Sequence, residues 1–123
     1  MLRRVCKTDN GNIVCTDCAG YRRRVAVMGD TILMPCNTAQ SSEVKWSRNT
    51  TSGRFSYVYI NGTITGSANV LYQFSVVNGS TLRLYNVHNT DSGFYDCYDA
   101  NGTRIVGYYV IANSMFLVVL ETK

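Results

Sequence analysis

The sequence predicts an all-β fold, a two-sheet sandwich with a short cysteine-containing extension at its start. Three observations lead there. No stretch repeats its apolar residues at the helical period, whereas several short runs alternate apolar with polar. Asn-Gly stands at 61–62, 78–79 and 101–102, and this pair tolerates the positive φ of a tight hairpin turn. The 123 residues hold one proline and nine tyrosines, a composition suited to strands around one core rather than several.

In chain order, residues 1–20 form a segment of their own, with Leu2–Cys6 against Asn12–Cys15 in a hairpin around Asp9-Asn10-Gly11. Residues 21–123 form the sandwich. Arg22-Arg23-Arg24 opens an edge strand, where charge discourages edge-to-edge pairing, and leads through Val25-Ala26-Val27 to a turn at Gly29-Asp30. Thr31–Cys36 alternates so that Ile32, Met34 and Cys36 share one face. Glu43–Ser47 turns Val44 and Trp46 inward and Lys45 and Ser47 outward. Phe55–Ile60 and Thr63–Thr65 make a hairpin about Asn61-Gly62. Leu71–Val77 and Ser80–Leu84 make another about Asn78-Gly79. Leu82, Leu84 and Val87 are the inward set leading to Asp91. The last strand follows Asn101-Gly102 and is expected to end in Phe116–Leu120, an apolar run too short to span a bilayer.

Cys36 closes one of these strands, Trp46 lies in the next, and Cys97 ends the run Asp91-Ser92-Gly93-Phe94-Tyr95-Asp96-Cys97. Through these residues the chain, from about Tyr21 to its end, resembles the immunoglobulin superfamily. The resemblance implies a Greek-key sandwich pinned by a Cys36–Cys97 bridge, an indole packed on that bridge, and a Tyr95 hydroxyl bonded back to the backbone at the corner before its strand. It gives Trp46, Asp91, Gly93 and Tyr95 structural roles. The hairpin at 55–65 is similar to the C′–C″ pair of variable-type domains, so the expected class is V-set-like. A bridge of this span is worth about 4 kcal/mol on the chain-entropy model. Two departures matter. Variable domains usually pair an arginine with the aspartate of this run. Here Gln73-Phe74-Ser75 stands in the matching place, so a neutral hydrogen bond to Asp91 is expected rather than an ion pair. The Phe-Gly-x-Gly bulge of antigen-receptor domains has no counterpart in Tyr108–Ser114, which argues against antibody-like pairing.

Five cysteines in a small β domain point to an oxidising, secretory compartment. Sequons headed by Asn49, Asn61, Asn78 and Asn101 point the same way. Cys6 is expected to pair with Cys15 or Cys18, since either closes the N-terminal hairpin, and one thiol is left for a partner elsewhere. Cys15-Thr16-Asp17-Cys18 lacks the helix N-terminus that a redox pair needs and the fourth ligand that zinc needs. Met1–Arg4 carries charge with no apolar stretch behind it. An excised ectodomain, or a mature domain behind a new start methionine, is therefore expected.

The single histidine, His88, sits in a connection where a solvated loop residue is the default. No phosphate loop, carboxylate pair or activated nucleophile stands out, so neither an enzyme nor a cofactor or metal is expected. The net charge is +4. Arg22–Arg24 make a glycosaminoglycan partner a competing reading, while nucleic acid is not expected. Asn61, Asn78 and Asn101 sit in turns at one end of the sandwich, and Asn49, placed after its strand, at the other. Glycans at the crowded end would shift binding to a sheet face. That face is expected to present Lys45, Ser47, Tyr57, Tyr59, Asp96 and Tyr98, with Tyr108 or Tyr109. Lys45 and Asp96 could pair within a molecule or across a two-fold contact. The function expected is that of a membrane-distal, cell-surface ectodomain for cell–cell recognition or adhesion. It would bind its own copy on an opposing cell or another cell-surface protein, and reach the membrane only through a segment outside this sequence. The alternatives are a secreted or viral immune modulator that binds a heterologous host protein, and a glycosaminoglycan-binding module.

Overall fold

The computed structural model describes residues 5–9, 12–17, 20–36, 43–51, 55–65 and 73–113. Strands β1 (Val5–Asp9) and β2 (Asn12–Asp17) form a two-stranded antiparallel sheet of their own, whose register sets Cys6 opposite Cys15. Among the described residues, nine strands build the sandwich: β3 (Tyr21–Val27), β4 (Ile32–Met34), β5 (Lys45–Thr50), β6 (Phe55–Ile60), β7 (Thr63–Ile64), β8 (Phe74–Val77), β9 (Thr81–Leu84), β10 (Gly93–Tyr98) and β11 (Arg104–Asn113). One sheet has the order β3-β11-β10-β5-β6-β7 and the other β4-β9-β8. Between these strands every ladder is antiparallel except β3 with β11, which is parallel.

Alternation puts one side of each strand into the core. Ile32 and Met34 are buried while Leu33 between them is half exposed, and Leu82, Leu84 and Val87 are sealed. The Cys36–Cys97 disulfide ties the end of the β4 segment to β10 and so joins the sheets. Trp46 is the register partner of Cys97. Its ring lies nearly parallel to that of Tyr108, with centroids 6.2 Å apart. Its indole N–H donates to the Ser80 carbonyl at 3.0 Å, which meets the polar demand of a buried tryptophan. Tyr108 in turn donates its hydroxyl to the Pro35 carbonyl. At the corner before β10, the Tyr95 hydroxyl donates to the Asp91 carbonyl at 2.6 Å, and burial pushes its phenol well above the ordinary tyrosine range.

The turns follow the dipeptides. Asn61-Gly62 and Asn78-Gly79 have φ of 53° and 81°, and of 50° and 84°, the mirror-image turn that matches strand twist. The third differs. Asp99 Oδ1 accepts the N–H groups of Asn101 and Thr103, each at 2.9 Å, and so shapes the β10–β11 turn.

The strand β11 buries Val106, Tyr108, Val110 and Ala112 and is described to Asn113; the expected strand end at 116–120 lies outside the described residues, as do Leu71 and Tyr72. Two expectations change. Asp91 does form an ion pair, but with an arginine from β5: Arg48 Nη1 lies 3.2 Å from Oδ1. The predicted neutral bond is there too, Gln73 Nε2 donating to Oδ2 at 2.7 Å, beside the His88 N–H at 2.8 Å. A nearly buried carboxylate is thus fully hydrogen-bonded, as burial requires. Lastly, β6 carries an extra residue against β5, since Trp46 faces Tyr59 while Ser47 faces Tyr57. This bulge reverses the side-chain parity, so Tyr59 turns into the core.

Candidate functional site

The outer face of the six-stranded sheet can be read from register alone. Its first row runs Arg23, Tyr109, Phe94, Asn49, Phe55, and its second Tyr21, Gly107, Asp96, Ser47, Tyr57. Tyr98 beside Lys45 begins a third. Two groups of rings result. On one side Tyr21 meets Phe94 edge-on at 5.0 Å, and Phe94 meets Tyr109 at 6.3 Å. On the other, Phe55 and Tyr57 meet edge-on at 5.3 Å. β5 runs between them and presents Lys45, Ser47 and Asn49. Phe55 is 57% exposed and Tyr57 41%.

The centre of the face is closed by a lid. A side-chain atom on Gly107 would lie 2.6 Å from Asp96 Oδ1 and 2.6 Å from Tyr21 Cε1. The absence of one lets the Tyr21 ring lie down on the sheet. The Arg104 guanidinium covers that ring at 4.3 Å, bonds the Gly20 carbonyl at 2.8 Å, and reaches Asp96 Oδ1 at 3.6 Å.

Of the expected face residues, Lys45, Tyr57 and Tyr98 are accessible. Ser47 and Asp96 point outward but are only 1% and 6% exposed; Asp96 lies under the Arg104 and Tyr21 side chains. Asp96 already faces Arg104, so the proposed Lys45–Asp96 pair gives way to that one. Tyr59 is only 8% exposed and belongs to the core through the bulge. Tyr108 is core, whereas Tyr109 is on the face.

Asn61, Asn78 and Asn101 are exposed at their turns. The strand directions bring the β6–β7, β8–β9 and β10–β11 turns to one end. Asn49 is not in a loop. It lies inside β5, on the outer face, with Phe94 and Phe55 as its register partners.

A cavity of about 430 Å³ opens by the Asp91 corner, lined by Arg48, Gln73, Tyr85, Asn86, His88, Thr90 and Asp91. The Ser75 hydroxyl bonded to the Tyr85 oxygen at 3.1 Å, aided by Arg83, lowers that phenol's pKa. The Asp91 carboxylate that would be the reactive group here is spent on Arg48, Gln73 and the His88 N–H. Among the described residues no three His, Cys, Asp or Glu side chains are placed to hold a metal ion.

No family model matches the chain, and no curated protein matches it in sequence. Solved structures do. The extracellular fragment of Novel Immune-Type Receptor 10 from Ictalurus punctatus superposes with a TM-score of 0.56 at 18% identity, over 74% of this chain and 96% of that one. The extracellular domain of the voltage-gated sodium channel beta4 subunit, described as a parallel homodimer with a role in cell–cell adhesion, gives 0.57 at 16% identity over 82% and 92%. Drosophila Semaphorin 2a gives 0.56 at 16% identity over 76% of this chain, which spans 14% of the semaphorin. The fold is that of an immunoglobulin domain.

Within the immunoglobulin frame, two features of the face escaped the sequence. Tyr21 and Arg104 come from the edge strand and the start of the last strand, and meet over β10 only because of Gly107. Phe94, inside the Asp91–Cys97 run, was not among the expected face residues. The signal that could have marked it is its place between Gly93 and Tyr95: if Tyr95 is inward, Phe94 must be outward.

Proposed function

We propose that this immunoglobulin domain is an extracellular, V-set, non-catalytic recognition module that mediates adhesion by pairing with a second copy of itself through the outer face of its six-stranded sheet. The observation that carries the reading is the exposed Phe55–Tyr57 pair beside the Phe94–Tyr109 rings. Large adjoining aromatics left in water on a flat sheet are the composition of an interface core, not of a solvated surface. Lys45 and Tyr98 would form the polar border, and glycans at Asn61, Asn78 and Asn101 would keep contacts away from the turn end. The adhesion role described for the similar beta4 domain supports the choice of partner. Residues 1–20 would be an extension closed by Cys6 and Cys15, in keeping with their register, and residues 21–123 the recognition unit.

Beads coated with the domain test this. Wild-type beads should cluster, and Tyr57→Ser or Phe55→Ser beads should not, although both variants still fold. Dispersed wild-type beads together with a strict monomer in sedimentation at high concentration would refute self-pairing.

A second reading, a heterologous acidic partner, draws on the face's charge. Among the described residues of its register rows, Arg23, Lys45 and Arg104 are answered by Asp96 alone. The glycosaminoglycan reading draws less support, because β3 splits its arginines. Arg24 lies over the Tyr108 ring at 4.8 Å, on the side opposite Arg23. Retention on heparin that falls with salt would revive it.

A further inference from the structure

Asn49 is a sequon asparagine in the middle of the candidate binding face, flanked in register by Phe94 on one strand and Phe55 on the other. Two strand spacings separate these neighbours, about 10 Å. Asn49 rises from the floor of a trough whose two walls are aromatic. Thr51, the third sequon residue, follows at the end of β5 and uses its backbone N–H on the Ser92 carbonyl at 2.9 Å, so its hydroxyl can be removed without disturbing the strand pairing.

A sugar ring has an apolar side of C–H bonds, which suits the electron-rich face of an arene, and hydroxyls that remain in water. Phe55, half exposed, and Phe94, partly exposed, supply such faces on both sides of one attachment point. We propose that Asn49 carries an N-linked glycan whose first N-acetylglucosamine lodges between Phe55 and Phe94 and shields that half of the face. In the attachment, Asn49 Nδ2 bonds to the anomeric carbon of a lipid-diphosphate-linked oligosaccharide. The bond from that carbon to the diphosphate oxygen breaks, the diphosphate leaves with the electron pair, and the amide proton passes to a base. The chain must be extended and unpaired at that moment, so transfer precedes the closure of β5 against β10.

The consequence for adhesion rests on the self-pairing reading above. Glycosylated molecules would retain only the Tyr57–Lys45–Tyr98 half, and molecules lacking this glycan would pair more strongly. Asn49 occupancy would set the strength of contact.

The test uses protein secreted from glycosylating animal cells. Peptide mapping after peptide-N-glycosidase F in heavy-oxygen water should convert Asn49 to labelled aspartate; an unmodified Asn49 overturns the proposal. Phe55→Ala should then lower the melting temperature by about 2–4 °C more in the glycosylated domain than in the Thr51→Ala background. Equal shifts in both backgrounds overturn the lodging of the sugar. Thr51→Ala beads should cluster more than wild-type beads, while Asn101→Gln beads should match wild type. If Asn49 is occupied and coupled to Phe55 but no form clusters, the glycan site stands and the self-pairing reading fails. If all forms cluster equally, shielding is overturned and self-pairing stands.

Discussion

Replacing Gly107 with alanine should open the lid over Asp96 at a modest cost in stability. The new methyl would lie 2.6 Å from Tyr21 Cε1 and 2.9 Å from Cδ1, so the ring must swing away. It would lose its edge contact with Phe94, worth about 0.5–1.5 kcal/mol, and the Arg104 guanidinium above it, worth about 0.5–1 kcal/mol. Alanine recovers roughly 0.5–1 kcal/mol over glycine in a strand. The net loss is about 1 kcal/mol, a fall in melting temperature of about 4 °C. Gly93→Ala is the contrast. Its methyl would meet the Asn49 carbonyl and stand 2.6 Å from Thr50 Cα, at a φ of 154°. Both obstacles are backbone and cannot rotate aside, so about 3 kcal/mol should be lost. Thermal unfolding followed by circular dichroism measures both, together with Tyr21→Ala and the Tyr21→Ala/Gly107→Ala pair. The double variant should be no less stable than Tyr21→Ala alone, since the ring that Gly107 accommodates is gone. Equal losses at Gly93 and Gly107, or full additivity in the double variant, would refute the lid.

Three further outcomes are expected. Tyr95 has its pKa raised by burial above the ordinary value near 10. The unfolded chain therefore releases this proton first, and stability should hold below pH ~10 and fall as pH rises beyond it. Tyr95→Phe should flatten that limb in denaturant titrations, at a cost of about 1 kcal/mol from the lost bond to the Asp91 carbonyl. The paired Cys36→Ala and Cys97→Ala substitutions remove a cross-link between residues 61 apart in sequence and should lower unfolding free energy by about 4 kcal/mol in urea titrations. A self-pair brings together two faces that each carry Arg23, Lys45 and Arg104 against Asp96, so added salt should strengthen self-association measured by sedimentation, whereas an acidic partner would be released by it.

Much of the sandwich was legible because one face of each strand is buried, which makes alternation informative. Ile32, Met34, Leu82, Leu84 and Trp46 all follow it. The Asn-Gly turns were legible for a chemical reason, the tolerance of positive φ. What failed was non-local. A bulge opposite Trp46 turned Tyr59 inward, and no feature of Phe55–Ile60 alone announces it. The polar Asn49-Thr50-Thr51 read as the start of a loop, yet β5 continues to Thr50 because β10 offers a partner as far as Gly93. Arg48 gave no sign that it would reach Asp91, 43 residues on. The candidate face was legible in its strands and not in its surface: Tyr57, Lys45 and Tyr98 lie on it, while Ser47 and Asp96 are buried there, Asp96 beside Arg104 and Tyr21, which are distant from it in sequence.

The parallel pairing of β3 with β11, Tyr21 beside Gly107 through Val27 beside Asn113, has a mechanical consequence. Tension applied to the chain before Tyr21 and after Asn113 pulls these two strands in opposite directions along their common axis. The evenly spaced bonds of a parallel ladder then bear the load together in shear, rather than opening one by one as a hairpin does when its ends are drawn apart. Rupture under force is governed by the rate of crossing the unfolding barrier, so this single ladder sets how long the domain survives a pull. In the proposed adhesion, the strand pair that resists the pull also positions the Tyr21 ring on the face that would make the contact.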